Sequence, residues 1–303
     1  MLAGLSRARK EIPPRFFYDE AGSKLFDEIC ELPEYYPPRV EIGILTSRLH
    51  ELAARVVPGA SVIGFGSARA RKVRLLLDAL REPAGYAAID ISREELLSSC
   101  RALAQDEPRI RVVAMWADYM EPLDVSVLAP LPDPRIVFFP GSTIGNLHPE
   151  EALAFLKRIA RVAGPGGRLV LGADLVKDPA VLHAAYNDAR GVTAAFNRNV
   201  LARANRELSA EFDLGEFEHR AFYDAGRARI EMHLVSRRAQ SVVVAGRTFA
   251  FAEGETILTE CSYKYTVDGM RDFARLAGFL PCDVWVDERR WFSVHDLVVA
   301  ASR

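Results

Sequence analysis

Cysteine is scarce in this chain of 303 residues. The four present, Cys30, Cys100, Cys261 and Cys282, lie far apart with no C-x-x-C pair. Such spacing gives neither a zinc knuckle nor the dense pairing of a small secreted domain, and it points to free thiols in a reducing cytoplasm. The six histidines are scattered and form no H-x-x-x-H pair, so no metal is expected. An excess of one charge is also missing. With 39 Lys and Arg against 41 Asp and Glu, the net charge of −2 gives no reason to expect nucleic acid or an anionic membrane as a partner. No apolar run approaches the roughly 20 residues that span a bilayer. The start, MLAGLSRARKEIPP, is basic but lacks the apolar core of a secretory signal. What remains is a protein expected in the cytoplasm and expected as a monomer. Half of its residues are hydrophobic and 26% charged, and its length suffices for one large or two ordinary domains.

The stretch Ser61 to Ser92 organises the chain. An apolar run (Val62, Ile63) turns through Gly64-Phe65-Gly66-Ser67, a segment of helical spacing follows (Val73 to Leu80), and a second apolar run, Tyr86 to Ile89, ends on Asp90. Strand, glycine turn, helix and acid-terminated strand make half of a nucleotide-binding α/β unit. Glycine lets the backbone approach a ligand, the helix N-terminus offers free N–H groups, and an acid at the next strand end can accept both ribose hydroxyls. A ligand-free βα turn would look similar, and the G-x-G-x-x-G fingerprint of a nicotinamide dehydrogenase is absent.

The pattern continues with a helix over about 93–105, a strand over 110–114, and Asp118 on the loop behind it. Arg135 to Phe139 is an apolar run of the kind buried on both faces of a parallel sheet, ending in Pro140-Gly141-Ser142-Thr143-Ile144-Gly145-Asn146. A helix from Pro149 stops at Gly164-Pro165-Gly166-Gly167, and a strand over 168–172 follows. Ligands of such sheets sit at the carboxyl ends of the strands, where Gly66, Asp90, Asp118 and Gly141 to Asn146 all fall. A helix is also expected over 41–56. Beyond Asp178 the character changes. A helical region over 180–206, broken near Gly191, precedes short alternating strands over 216–223, 228–236, 239–244 and 247–251. A helix over 267–278 and two strands, 282–287 and 291–300, complete the first sheet. The expectation is an α/β fold of two domains, residues 55–190 plus 265–303 and residues 1–54 plus 191–264.

Four stretches carry a resemblance. They are Phe17-Tyr18-Asp19-Glu20-Ala21-Gly22-Ser23 with Leu32-Pro33-Glu34-Tyr35-Tyr36-Pro37; Gly141 to Asn146; Ala185-Tyr186-Asn187-Asp188 with Thr193 to Asn199; and Thr259-Glu260-Cys261-Ser262-Tyr263-Lys264-Tyr265. In this order, over nearly the whole chain, they resemble the histidine-specific Nα-methyltransferases of ergothioneine biosynthesis, class I enzymes that use S-adenosyl-L-methionine. The resemblance implies a Rossmann-like methyltransferase sheet with a smaller α+β substrate-binding domain, and an active site in the cleft between them. It also implies roles. Gly66, Lys72, Asp90, Asp118 and the adjacent Tyr119 would hold the cofactor, with Tyr18 closing over the site. Tyr35, Gly141, Asn146 and Tyr186 would hold the amino-acid head group, and Tyr18 and Tyr35 would stand at the reacting centre. Glu260 and Ser262 would take one imidazole nitrogen each.

That last pair has its own physics. Residues two apart on an extended segment face the same way. A carboxylate accepts from one ring nitrogen, and a hydroxyl serves the other. A site built to pair a polar group rejects an analogue lacking it by ~10⁴-fold or more, which is how histidine would be told from phenylalanine. Read without the family, the two are an acid and a serine on a strand face, Gly145-Asn146 is a turn, and the tyrosines are core. Two positions depart from the family. Gly64 stands where a strand-ending Glu is usual, and Ala68, followed by Arg69, replaces the second glycine of the loop. These departures leave weaker cofactor binding or a non-catalytic relative as alternatives, and a methyltransferase for another aromatic amino acid is a separate one.

Overall fold

The computed structural model describes residues 1–66, 70–121 and 123–300. They form two compact units, residues 37–176 with 265–303 and residues 1–36 with 177–264. The larger unit holds a seven-stranded sheet in the order Phe279–Val286, Phe292–Val299, Arg168–Asp174, Arg135–Phe139, Ser61–Phe65, Gly85–Asp90, Arg111–Trp116. The five strands from Arg168–Asp174 to Arg111–Trp116 run parallel, Phe292–Val299 joins them antiparallel, and Phe279–Val286 pairs antiparallel with Phe292–Val299 in turn. The order reverses between Ser61–Phe65 and Arg135–Phe139, the switch point at which ligands of open α/β sheets bind.

Alternation along the strands divides the core. Ile63, Phe65, Ile89, Val137, Phe139, Leu169 and Leu171 pack on one face with Phe155, Leu156 and Ile159 of the helix Pro149–Ala163 and Met270 and Ala274 of the helix Val267–Leu276. Val62, Tyr86, Ala88, Ile136, Phe138 and Val170 face the other way, onto helices Pro37–Ala53, Ala70–Ala79 and Arg93–Asp106. Because both faces are covered, the central strands are almost wholly apolar.

The smaller unit has a four-stranded sheet in the order Lys10–Glu11, Thr256–Tyr263, Arg229–Ser236, Phe217–Asp224. It also has a hairpin of Gln240–Val244 and Arg247–Phe251. Its helices are Glu20–Glu31, Pro179–Tyr186 and Val192–Leu208. Phe17 and Phe26 pack on Phe196 with ring centroids 4.5 and 5.8 Å apart.

Several expectations are corrected. Gly64 and Phe65 belong to the first strand and the turn starts at Gly66, whereas Ser67, Ala68 and Arg69 lie outside the described residues. The helix expected from Glu41 starts at Pro37, since proline fits the first helical turn. It buries Ile44, Leu45, Leu49 and Leu52 in the larger unit's core, so the unit boundary falls at residue 36 instead of 54. The second boundary falls at 176 instead of 190, because the helix Pro179–Tyr186 packs on Phe217–Asp224, where Asn187 donates to the Ala221 carbonyl. The strand Thr256–Tyr263, inner to the small sheet, is not among the strands expected along the chain, although Glu260 and Ser262 are expected on an extended segment.

Candidate active site

In the smaller unit, Glu260 and Ser262 sit on the inner strand Thr256–Tyr263, opposite Met232 and Ile230 of the neighbouring strand. Their register depends on an irregularity between Leu258 and Glu260. At this point the buried Thr259 hydroxyl bonds the Met232 carbonyl and the Asn197 side chain, at 3.0 and 2.7 Å. The Asn197 amide in turn donates to the His233 carbonyl and to His219 Nδ1. His219 Nε2–H donates to the Tyr186 carbonyl at 2.9 Å. With one nitrogen accepting and the other donating, His219 is a neutral ring, and burial depresses its pKa accordingly. One chain of hydrogen bonds therefore fixes both the strand bearing Glu260 and the helix end bearing Tyr186. Asn197→Ala would strand several buried partners at once, and it is expected to cost about 3 kcal/mol of stability in urea unfolding.

Asp19 and Asp188, from the motifs of the resemblance, are helix caps. Asp19 accepts from the Gly22 N–H at 2.7 Å and from Asn199 at 2.8 Å, which ties the N-terminal segment to the helix Val192–Leu208. Asp188 accepts from the Val192 and Thr193 N–H groups.

The Tyr186 hydroxyl donates to Ser262 Oγ at 2.9 Å, and the Tyr35 ring stands edge-on to Tyr186 at 6.1 Å. Tyr18 packs edge-on to Phe26 and Phe196. Burial, together with the neighbouring Tyr186, Cys30 and Glu260, pushes the Tyr35 phenol well above its usual pKa. Tyr18, Tyr35, Tyr186, Glu260 and Ser262 are thus one cluster. Sequence reasoning did not include its sixth member, Lys264, which donates to Ser262 Oγ at 2.7 Å and to the Tyr186 oxygen at 3.2 Å.

Glu260 is 9% exposed, and its carboxylate has no hydrogen-bond partner among the described residues. Burial raises its pKa from the usual 4.5 to about 7, against the opposing charge of Lys264. The folded state therefore holds this proton more tightly than the unfolded chain does. Stability falls as pH rises from about 4.5 and levels off above about 7. The cost of the ionised form is about 3 kcal/mol. Glu260→Gln should accordingly be more stable than the native protein in thermal unfolding at pH 8 and equal to it at pH 4.

In the larger unit, Gly66, Asp90, Asp118, Tyr119, Gly141 and Asn146 lie at the carboxyl edge of the sheet. Gly66 has φ +62°, a conformation that favours glycine, and Tyr119 lies 3.6 Å from where a side chain there would begin. Asp90 closes the second strand and accepts from the Ser92 N–H at 2.8 Å, and Asp118 accepts from the Met120 N–H at 2.9 Å. Burial and the charges of Asp90 and Asp118 raise the Tyr119 pKa, so its hydroxyl stays protonated. Gly141 and Ser142 are both left-handed, with φ +81° and +56°, and Asn146 ends the short helical turn Thr143–Asn146.

Lys72 forms an ion pair with Glu41, to which the sequence reading gives a helix but no role at the site. Glu41 is 1% exposed and also accepts from the Gly141 N–H at 2.9 Å, so it ties the helix after the first strand to the loop after the fourth. The helix Pro37–Ala53 delivers it into space left by Gly172, whose hydrogen in place of a methyl group admits the carboxylate. The left-handed Gly66 with Tyr119 beside it, Asp90 at its strand end and Asp118 on the loop after the next strand fit a nucleoside-bearing cofactor. No helix among the described residues is long and apolar enough to cross a membrane, and none of their side chains form a cluster suited to a metal.

A family model described as histidine-specific methyltransferase, SAM-dependent, matches residues 1–299. A histidine N-alpha-methyltransferase of Mycolicibacterium smegmatis is 44% identical over 291 residues, covering 94% of this chain and 89% of that protein. Its namesake from Mycobacterium tuberculosis is 40% identical with the same coverage. Ergothioneine biosynthesis protein 1 of Neurospora crassa is 35% identical over 74% of this chain and 27% of its own longer length. Among solved structures, a possible exported protein from Bordetella parapertussis superposes with a TM-score of 0.51 at 14% identity, covering 99% of this chain and 86% of that one. At that identity the likeness bears on the fold alone. The chain belongs to the family of histidine-specific methyltransferases that depend on S-adenosylmethionine.

Proposed function

We propose that this protein transfers methyl groups from S-adenosylmethionine to the α-amine of L-histidine, up to the trimethylated betaine, as a step of ergothioneine biosynthesis. The observation that carries this reading is Glu260, a buried carboxylate without a hydrogen-bond partner among the described residues, two positions from a hydroxyl on the same strand face. Such a group is costly to bury unless a ligand completes it, and an imidazole N–H does so.

Glu260 and Ser262 then read the ring, while Tyr35, Tyr186, Asn146 and the Gly141 backbone hold the head group. Tyr35, kept protonated, acts as a hydrogen-bonding group and not as a tyrosinate base. Asp90 takes the ribose hydroxyls, Asp118 the adenine amine, and Gly66 and Tyr119 border the same ligand. Lys72 would reach it while paired to Glu41, since an ammonium has three donors. When bound, the cofactor supplies an electrophilic methyl group on a sulfonium. The protein's own contribution is to present a neutral amine in line, and positioning alone is worth on the order of 7–11 kcal/mol in favourable cases.

The test is mass spectrometry of histidine, tyrosine and tryptophan, each incubated with protein and cofactor. Histidine should gain one, two and three methyl groups. A preference for tyrosine or tryptophan would reassign the substrate, and no product with any of them, together with no cofactor binding in calorimetry, would make the protein a non-catalytic relative.

A further inference from the structure

The hydrogen-bond order around Ser262 is more constrained than a serine in a binding site usually is. A hydroxyl has one proton and two lone pairs. Ser262 Oγ accepts from Lys264 Nζ at 2.7 Å and from the Tyr186 hydroxyl at 2.9 Å, so both lone pairs are engaged. Lys264 also donates to the Tyr186 oxygen at 3.2 Å, which turns the phenol proton towards Ser262. Ser262 and Lys264 are each 4% exposed and Tyr186 is 6% exposed, so bulk water does not compete for these positions. An ammonium only donates. Its placement therefore sets the polarity of the whole group.

We propose that Lys264 is a positioning residue that compels Ser262 to act as a hydrogen-bond donor, so that the site offers one donor and one acceptor to the ring of its substrate. The inference rests on the reading that Glu260 and Ser262 hold the imidazole. A neutral imidazole has one N–H and one bare nitrogen, the complement of this pair. An imidazolium has two donors and meets Ser262 proton to proton, and a phenyl ring meets neither partner. Lys264 thus selects a single tautomer of the neutral ring and keeps the substrate from binding in two orientations about the ring. The titratable and charged groups around Glu260 are Lys264 just past the end of its strand, Tyr35 and Tyr186 from the helical side, Cys261 on the opposite strand face, and Tyr223, which senses Lys264 from the edge strand.

The test is nitrogen NMR of ring-labelled histidine bound at pH 8, with affinity read by calorimetry, in the native protein, Lys264→Met and Lys264→Arg. Lys264→Gln serves if the methionine variant does not fold. The native complex should show one pyridine-like and one pyrrole-like nitrogen. In Lys264→Met the two signals should move together, as in free histidine, with affinity lower by about tenfold or more. Lys264→Arg should restore the separated signals. Separated signals and native affinity in Lys264→Met would overturn the role of Lys264 and leave the ring-reading pair intact. Native histidine affinity in both Glu260→Ala and Ser262→Ala would remove the underlying reading instead.

Discussion

Glu260→Ala is expected to lower kcat/KM for histidine by about 10²- to 10³-fold, which corresponds to roughly 3–4 kcal/mol. The variant removes the acceptor of the imidazole N–H and leaves that donor buried without a partner, the costliest way to lose a hydrogen bond. Two features separate this from general damage. Cofactor affinity should be unchanged, because no cofactor-binding role falls on Glu260. Discrimination against phenylalanine should shrink by a similar factor, since the site no longer depends on a ring donor. Steady-state kinetics with both amino acids and cofactor calorimetry check it. A fall in cofactor affinity as large as that for histidine would show that the residue is structural.

Asp90→Ala is expected to weaken S-adenosylmethionine binding by about 100-fold, with histidine affinity little changed. A carboxylate at the end of the second strand can accept from both ribose hydroxyls, and each hydrogen bond to a charged group is worth about 1.5–3 kcal/mol. Asp90 already accepts from the Ser92 N–H at 2.8 Å, which fixes the orientation of its carboxylate before any ligand arrives. Its alanine variant should fold, because the adjacent core of Ile89, Phe65 and Phe139 does not depend on the acid. Calorimetric titration decides, and native affinity would exclude Asp90 from the ribose site.

Much of the larger unit is legible in the sequence, for a physical reason. Strands covered on both faces must be apolar throughout, so Arg135–Phe139 reads as a strand at both of its ends. The acid at the end of Gly85–Asp90 stands out because it interrupts a run that is otherwise apolar. The strand Thr256–Tyr263 is the opposite case. It carries Glu and Ser on a buried face, and an irregularity at Thr259 breaks its period of two, so neither hydrophobicity nor alternation announces it. Its chemistry was legible only through a run of residues resembling a family.

Glu41 and Lys264 show what a linear reading misses. Glu41 lies 31 residues from Lys72 and 100 from Gly141. Lys264 donates to Ser262, two positions before it, and to Tyr186, 78 residues away. Glu41 is not marked by its immediate neighbours, Lys264 stands in the run 259–265 without a role read for it, and only the fold shows which lone pairs are already taken. Gly64 in turn proves to be a strand residue, and Glu41 brings a carboxylate to the same edge of the sheet from another helix.

The claim on which the account turns is that a carboxylate and a hydroxyl on one strand face hold the imidazole ring of histidine. The structure of the protein crystallised with L-histidine tests it directly. The account predicts one ring nitrogen within about 3 Å of the Glu260 carboxylate and the other within about 3 Å of Ser262 Oγ. A ring bound elsewhere, with Glu260 and Ser262 in contact only with water, would contradict it.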